Sequence, residues 1–163
     1  MSPPRVLAAL CPDWAVIAAG RPPGAEVAVV HTNRVVAASP AARAGGVRPG
    51  MRRREAQGAC PGLEVLQRDL GAEARSWEPA VAVVEAFAPG VEVLGPGQLA
   101  FGSRGPSRYF GGDAALAAKV ATAIEAVIGT VTEAGPGGPC PGPRGQDGWC
   151  LAGCGLVGVA DGL

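Results

Sequence analysis

Residues 35–51 read VVAASPAARAGGVRPGM, and three local signals follow one another inside that run. Residues 34–38 (RVVAA) are apolar and β-branched, the composition of a strand. Ser39-Pro40 marks a helix start, with Ser as the N-cap and Pro at the first helical position. Gly45-Gly46 stops that helix after about one turn. On the N-terminal side, residues 26–32 (EVAVVHT) form a second strand, with a tight turn at Asn33 between the two. On the C-terminal side, residues 52–60 form another short helix, ended by Pro61-Gly62, and residues 64–67 (EVLQ) form a strand.

Further out the elements lengthen. Residues 5–10 are a short buried strand, and residues 14–19 a short helix after the Pro12-Asp13 break. Residues 70–88 form a long helix disturbed near Pro79, with Val81, Val84 and Ala88 on one face. Residues 91–94 and 99–101 are strands joined through Gly95-Pro96-Gly97, a turn by composition. Asp113 caps a helix over 114–128, whose Leu116, Val120, Ala123, Ile124 and Val127 keep helical spacing. Residues 135–148 hold ten Gly or Pro in fourteen positions and read as a flexible insert. Strand-like sequence returns at 155–160 (GLVGVA). This order indicates an α+β fold: an antiparallel or mixed sheet with helices on one face and a small helical lobe.

The net charge is zero, but residues 1–68 carry nine Arg against four carboxylates, and the remainder carries the opposite excess. Local charge decides attraction to a polyanion, so the basic half is the candidate contact. Arg48, Arg52, Arg53 and Arg54 are its densest cluster. No apolar stretch reaches the roughly 18 residues of a membrane span, and no export signal interrupts the expectation of a cytoplasmic protein with reduced thiols. Cys140, Cys150 and Cys154 match no common zinc spacing. The Gly-rich tract lacks the Gly-Lys-Ser/Thr of a phosphate loop. His31 reads as a strand residue.

Several motifs together resemble the palm and fingers of Y-family DNA polymerases of the UmuC/DinB type. The family's fingers motif runs Ser-Tyr-Glu-Ala-Arg, then Gly-Val-Arg-Ser-Gly-Met. Here Ser39-Pro40-Ala41-Ala42-Arg43 is followed by Gly46-Val47-Arg48-Pro49-Gly50-Met51. Glu55-Ala56 and Cys60-Pro61 resemble the short helix that follows. Phe87-Ala88-Pro89-Gly90-Val91-Glu92 is similar to the family's Phe-Ser-Pro-x-Val-Glu, and Val157-Gly158-Val159-Ala160-Asp161 to a later palm strand. By this resemblance residues 1–12 and 64–128 are palm-like and 13–63 fingers-like. Residues 129–154 are an insert and 155–163 a truncated palm strand, so the domain is incomplete.

The resemblance also implies what is missing. Nucleotide addition uses two divalent ions about 4 Å apart, and magnesium demands oxygen ligands, chiefly carboxylates. The family's metal-binding acids align with Cys11, Gly97 and Gln98. Asp13 is the one remnant carboxylate nearby. The aromatic pair beneath the incoming sugar aligns with Ala15 and Val16, and the triphosphate Tyr with Pro40. Arg43 survives as the implied nucleotide contact, and Arg48 with Arg52–Arg54 as implied DNA contacts.

This pattern is similar to the catalytically silent ImuB-type subgroup, which implies a DNA-binding adaptor for error-prone translesion repair. No cofactor is expected on that reading. Its implied partners are DNA, a sliding clamp, an error-prone replicative-type polymerase and an accessory cassette protein, with no membrane. The parts that bind the protein partners lie beyond the palm. The alternative is a translesion polymerase fragment using magnesium at a substitute site.

Overall fold

The computed structural model describes residues 5–11, 13–22, 24–128, 150–152 and 155–161, with side chains to residue 128. β1 (Arg5–Leu10) is the strand expected at 5–10, and α1 (Trp14–Ala18) is the short helix after it. β2 (Val27–His31) and β3 (Arg34–Ala38) form the expected hairpin. Thr32 and Asn33 both take positive φ, 49° and 63°. That is the type I′ pattern, whose twist matches the strands it joins.

Ser39 caps α2 (Pro40–Ala44), its Oγ accepting from the Ala42 N–H at 3.1 Å. The same oxygen accepts from the Val27 N–H at 3.1 Å and donates to the Ala25 carbonyl at 2.7 Å. One buried hydroxyl therefore ties the helix start to β2. At Gly45, which ends α2, a β-carbon would lie 3.1 Å from Cys60 Sγ. A side chain there would push Cys60 aside by a few tenths of an ångström, where α2 meets the end of α3 (Arg53–Ala59).

β4 (Glu64–Gln67) precedes α4 (Leu70–Glu85), which Asp69 caps by accepting from the Ala72 N–H at 2.9 Å. β5 (Glu92–Gly95) and β6 (Gln98–Gly102) form a second hairpin. α5 (Arg104–Phe110) and α6 (Asp113–Ile128) follow, then β7 (Cys150–Ala152) and β8 (Gly155–Asp161). Three expectations change. α4 ends at Glu85, where the Phe87 and Ala88 N–H groups both turn back onto the Val84 carbonyl. Asp113 does not cap α6 from outside. It is the helix's first residue, and its carboxylate pairs with Arg5. The sequence reading did not anticipate α5. The Gly/Pro-rich tract at 135–148, Cys140 and Cys154 lie outside the described residues.

The chain divides into two compact units. One holds β1 and the elements from residue 76 onward. Its sheet has the order β5-β6-β1-β8-β7, with every neighbouring pair antiparallel. β1 is central, and its alternate residues Leu7 and Ala9 are buried, as a half-buried strand requires. Trp77, Val84, Leu99, Phe101, Leu116 and Val120 complete an apolar core. α6 lies against β1, β7 and β8.

The other unit holds residues 13–75. Its sheet has the order β3-β2-β4, with β2 antiparallel to β3 and parallel to β4. A parallel partner needs a crossover, and α2 and α3 supply it. Val30, Val35, Ala42, Val47, Ala56 and Leu63 form its core. Residues 64–75, expected with the palm-like part, fall with residues 13–63 because β4 hydrogen-bonds β2. Pro79 interrupts α4 three residues past the division, leaving the Arg75 carbonyl without its usual i+4 donor.

Candidate functional site

Strand pairing in the five-stranded sheet brings the three substituted positions together. Leu10 is the register partner of Gln98, and the Cys11 N–H donates to the Gly97 carbonyl at 2.7 Å. Gly97 has φ +79°, a left-handed backbone that glycine adopts without strain. Residues 11, 97 and 98 therefore share one corner, where the end of β1 meets the β5–β6 turn.

The donor set at that corner is poor for a hard cation. Cys11 follows Leu7 and Ala9 in the buried series, at 6% exposure, and packs as a small apolar group. Gly97 has no side chain, and Gln98 is exposed with a neutral amide. Thiol and amide together cannot balance two divalent ions, so these residues do not fit a magnesium pair. Glu92 pairs with Ala100, two residues along β6 from Gln98. That offset is about 7 Å along the strand. Among the described residues no three His, Cys, Asp or Glu side chains gather where an ion could be held.

The second unit gives Asp13 and Arg43 to each other. Both Asp13 carboxylate oxygens accept from Arg43 Nη1, each at 2.8 Å. Asp13 begins α1 and Arg43 sits in the last turn of α2. Both side chains remain about a third exposed, so the pair stabilises by roughly 1 kcal/mol or less. Its chemical consequence is larger. The remnant carboxylate and the implied nucleotide contact neutralise one another. Pro40 is exposed at the start of α2, and Ala15 and Val16 lie half-buried on α1.

An alanine-lined cleft in the same unit was not foreseen. It is bounded by Ala15, Ala18, Ala19, Val29, Leu66 and Ala72, with a volume of about 210 Å³. Glu73 also lines it. The buried Glu73 carboxylate accepts from Arg68 Nε and Nη2, both at 3.0 Å, and its backbone carbonyl accepts from Trp14 Nε1 at 2.9 Å. The cleft is smaller than the usual range of ligand pockets. Cys60 is buried near Glu26, and burial followed by the carboxylate's hydrogen bond and charge pushes its thiol above the ordinary cysteine value.

Apart from Arg75, the arginines of this unit fall into two sets. Arg21, Arg43 and Arg68 pair with Glu64, Asp13 and Glu73. Arg48, Arg52, Arg53 and Arg54 are exposed, and among the described residues none forms an ion pair. Arg48 Nη1 donates to the carbonyls of Arg43 and Val47, at 2.8 and 3.0 Å. Those acceptors are neutral, so its charge stays uncompensated. Arg34 belongs to this second set as well, with Nη1 donating to the Gly50 carbonyl at 2.8 Å. A cation beside the hairpin turn was the one sequence clue to it.

The impB/mucB/samB family matches residues 11–138. Among solved structures, the fold is similar to a Dbh ternary complex with partially disordered substrates. The TM-score is 0.61 at 16% identity, covering 75% of this chain and 38% of that one. It is also similar to the insertion ternary complex of Dbh DNA polymerase, with a TM-score of 0.62 at 16% identity over 75% of this chain and 39% of that one. A Y-family DNA polymerase chimera of Dbh and Dpo4 is similar at TM-score 0.59 and 16% identity, covering 75% and 39% of the two chains. The chain thus spans under two fifths of the length of these solved relatives. No curated protein matches it. No helix among the described residues is long and apolar enough to cross a membrane.

Proposed function

Because the chain belongs to the impB/mucB/samB family, we propose that it is a non-catalytic, DNA-binding member of the ImuB type, acting in error-prone translesion repair. The observation that carries the reading is the corner formed by Cys11, Gly97 and Gln98. The Cys11 N–H reaches the Gly97 carbonyl at 2.7 Å, so the three positions that the resemblance aligns with the metal-binding acids lie at one corner. The oxygen donors that nucleotide transfer needs are replaced. A fold that keeps the framework and loses the ligands retains binding and loses chemistry.

The binding half of the proposal rests on Arg48, Arg52, Arg53 and Arg54. Exposed guanidinium groups without carboxylate partners are available to phosphate, which they grip in forked geometry. The adaptor partners belong to the same proposal: a sliding clamp, an error-prone replicative-type polymerase and an accessory cassette protein. So does a cytoplasmic location. The solved relatives are polymerase complexes, which favours the second reading, a polymerase with a substitute magnesium site through Asp13. Against it, both oxygens of Asp13 already accept from Arg43.

Primer extension on a labelled primer–template with magnesium and all four nucleotides separates the two readings. The proposal expects a DNA-bound chain and no extension. Extension that disappears in Asp13→Ala establishes the second reading and removes the first.

A further inference from the structure

We propose that Arg34 and Arg52 form a two-armed clamp for one backbone phosphate of a nucleic-acid strand, a contact that deepens the DNA-binding reading above and rests on it. The two residues face each other directly across the free edge of β3, as an isolated antiparallel bridge. Residues so paired have α-carbons about 4.5–5.5 Å apart, and like charges placed directly opposite destabilise a sheet. Folding alone gives no reason to set one guanidinium against another here.

The surroundings do not relieve that repulsion. Among the described residues, no carboxylate forms an ion pair with either side chain. The nearest acid in sequence, Glu55, accepts from the Arg52 backbone N–H at 3.3 Å through Oε2, at the start of α3, and forms no ion pair with either guanidinium. Across β2 and β3 the register partner of Arg34 is His31, which offers no carboxylate to it. Arg43, Arg21 and Arg68 of the same unit are paired with Asp13, Glu64 and Glu73.

The pair is also held in place. The Gly50 N–H donates to the Val35 carbonyl at 2.8 Å, and the Val35 N–H to the Met51 carbonyl at 2.9 Å. The Arg53 N–H donates to the Asn33 carbonyl at 3.1 Å. These bonds lay residues 50–53 against β3, as one isolated bridge that leads into α3 and covers part of an otherwise open edge. The Arg34 bond to the Gly50 carbonyl fixes one arm while leaving Nη2 and Nε to an anion. Two guanidiniums rooted on a rigid edge lose little freedom when a phosphate arrives, and the anion removes their mutual repulsion.

The test is fluorescence anisotropy of the 163-residue chain with a labelled single-stranded oligonucleotide over a series of salt concentrations, circular dichroism confirming the fold of each variant. Arg34→Ala is expected to weaken binding and lower the salt slope by about one unit. Arg34→Lys keeps the charge and loses the fork, so the slope stays and the affinity falls. Because both arms share one phosphate, Arg34→Ala/Arg52→Ala is expected to lose clearly less than the product of the two single losses. An unchanged slope in Arg34→Ala, or strictly multiplicative losses in the double variant, overturns the clamp. If Arg53→Ala/Arg54→Ala weakens binding while Arg34→Ala does not, the clamp fails and the DNA-binding reading stands. If the unaltered chain binds no oligonucleotide, the DNA-binding reading itself fails.

Discussion

The two units have treated charge in opposite ways. In the five-stranded unit, the corner at Cys11, Gly97 and Gln98 has no carboxylate of the kind nucleotide chemistry requires. In the three-stranded unit, the edge at Arg34, Arg48 and Arg52–Arg54 has kept charges that folding does not require. A core position that accepts a thiol has been absorbed into packing. A surface that tolerates adjacent arginines has not been relaxed by carboxylates. On the proposed reading, loss at one place and retention at the other suit a chain that holds DNA and leaves the chemistry elsewhere.

The largest effect expected from breaking this contrast is on affinity. Replacing Arg48, Arg52, Arg53 and Arg54 by Ala together should flatten the salt dependence of DNA binding by up to about four units. Anisotropy at several salt concentrations measures it, and circular dichroism should stay unchanged, since all four side chains are exposed.

The next effects are on stability and fall in the other unit. Leu7 is fully buried on the central strand, so Leu7→Ala should cost about 2–5 kcal/mol in urea unfolding. Cys11→Asp sharpens the contrast. Restoring a carboxylate where the side chain is 6% exposed should cost about 1–3 kcal/mol, whereas Cys11→Ala should cost less. If Cys11→Asp proves neutral, the corner has stayed a polar site and has not become core.

Much of this was legible locally. Ser39-Pro40, Gly45-Gly46 and Asn33 carry their conformations in their own backbone preferences, and the elements around them appear within a residue or two of where they were expected. α5 was hidden because RGPSRYF contains Gly, Pro and Ser, which read as turn when taken alone. The parallel pairing of β2 with β4 links residues more than thirty positions apart, and nothing in EVLQ names its partner. That is why residues 64–75 were grouped with the palm-like part. At the site, the resemblance aligns the family's metal-binding acids with Cys11, Gly97 and Gln98, and strand pairing brings those three positions to one corner. The Asp13–Arg43 pair was not legible, because thirty residues separate two side chains that were each read as waiting for a ligand. Arg34 was passed over because its meaning depends on Arg52 standing opposite.

Two smaller effects complete the series. Ser39→Ala removes a hydroxyl that serves α2, Val27 and Ala25 at once, and should cost about 1–2 kcal/mol, measured by urea unfolding. Asp13→Asn breaks a half-exposed pair and should cost under about 1 kcal/mol.

The central claim concerns the capacity of the corner at residues 11, 97 and 98 to hold metal. Titrating manganese into the DNA-bound chain with nucleotide present, followed by electron paramagnetic resonance, measures that capacity directly. The account predicts the same manganese binding in the unaltered chain and in Gln98→Ala and Asp13→Ala, with no site beyond those of DNA and nucleotide. A pair of saturable protein sites, lost when Asp13 or Gln98 is replaced, contradicts it.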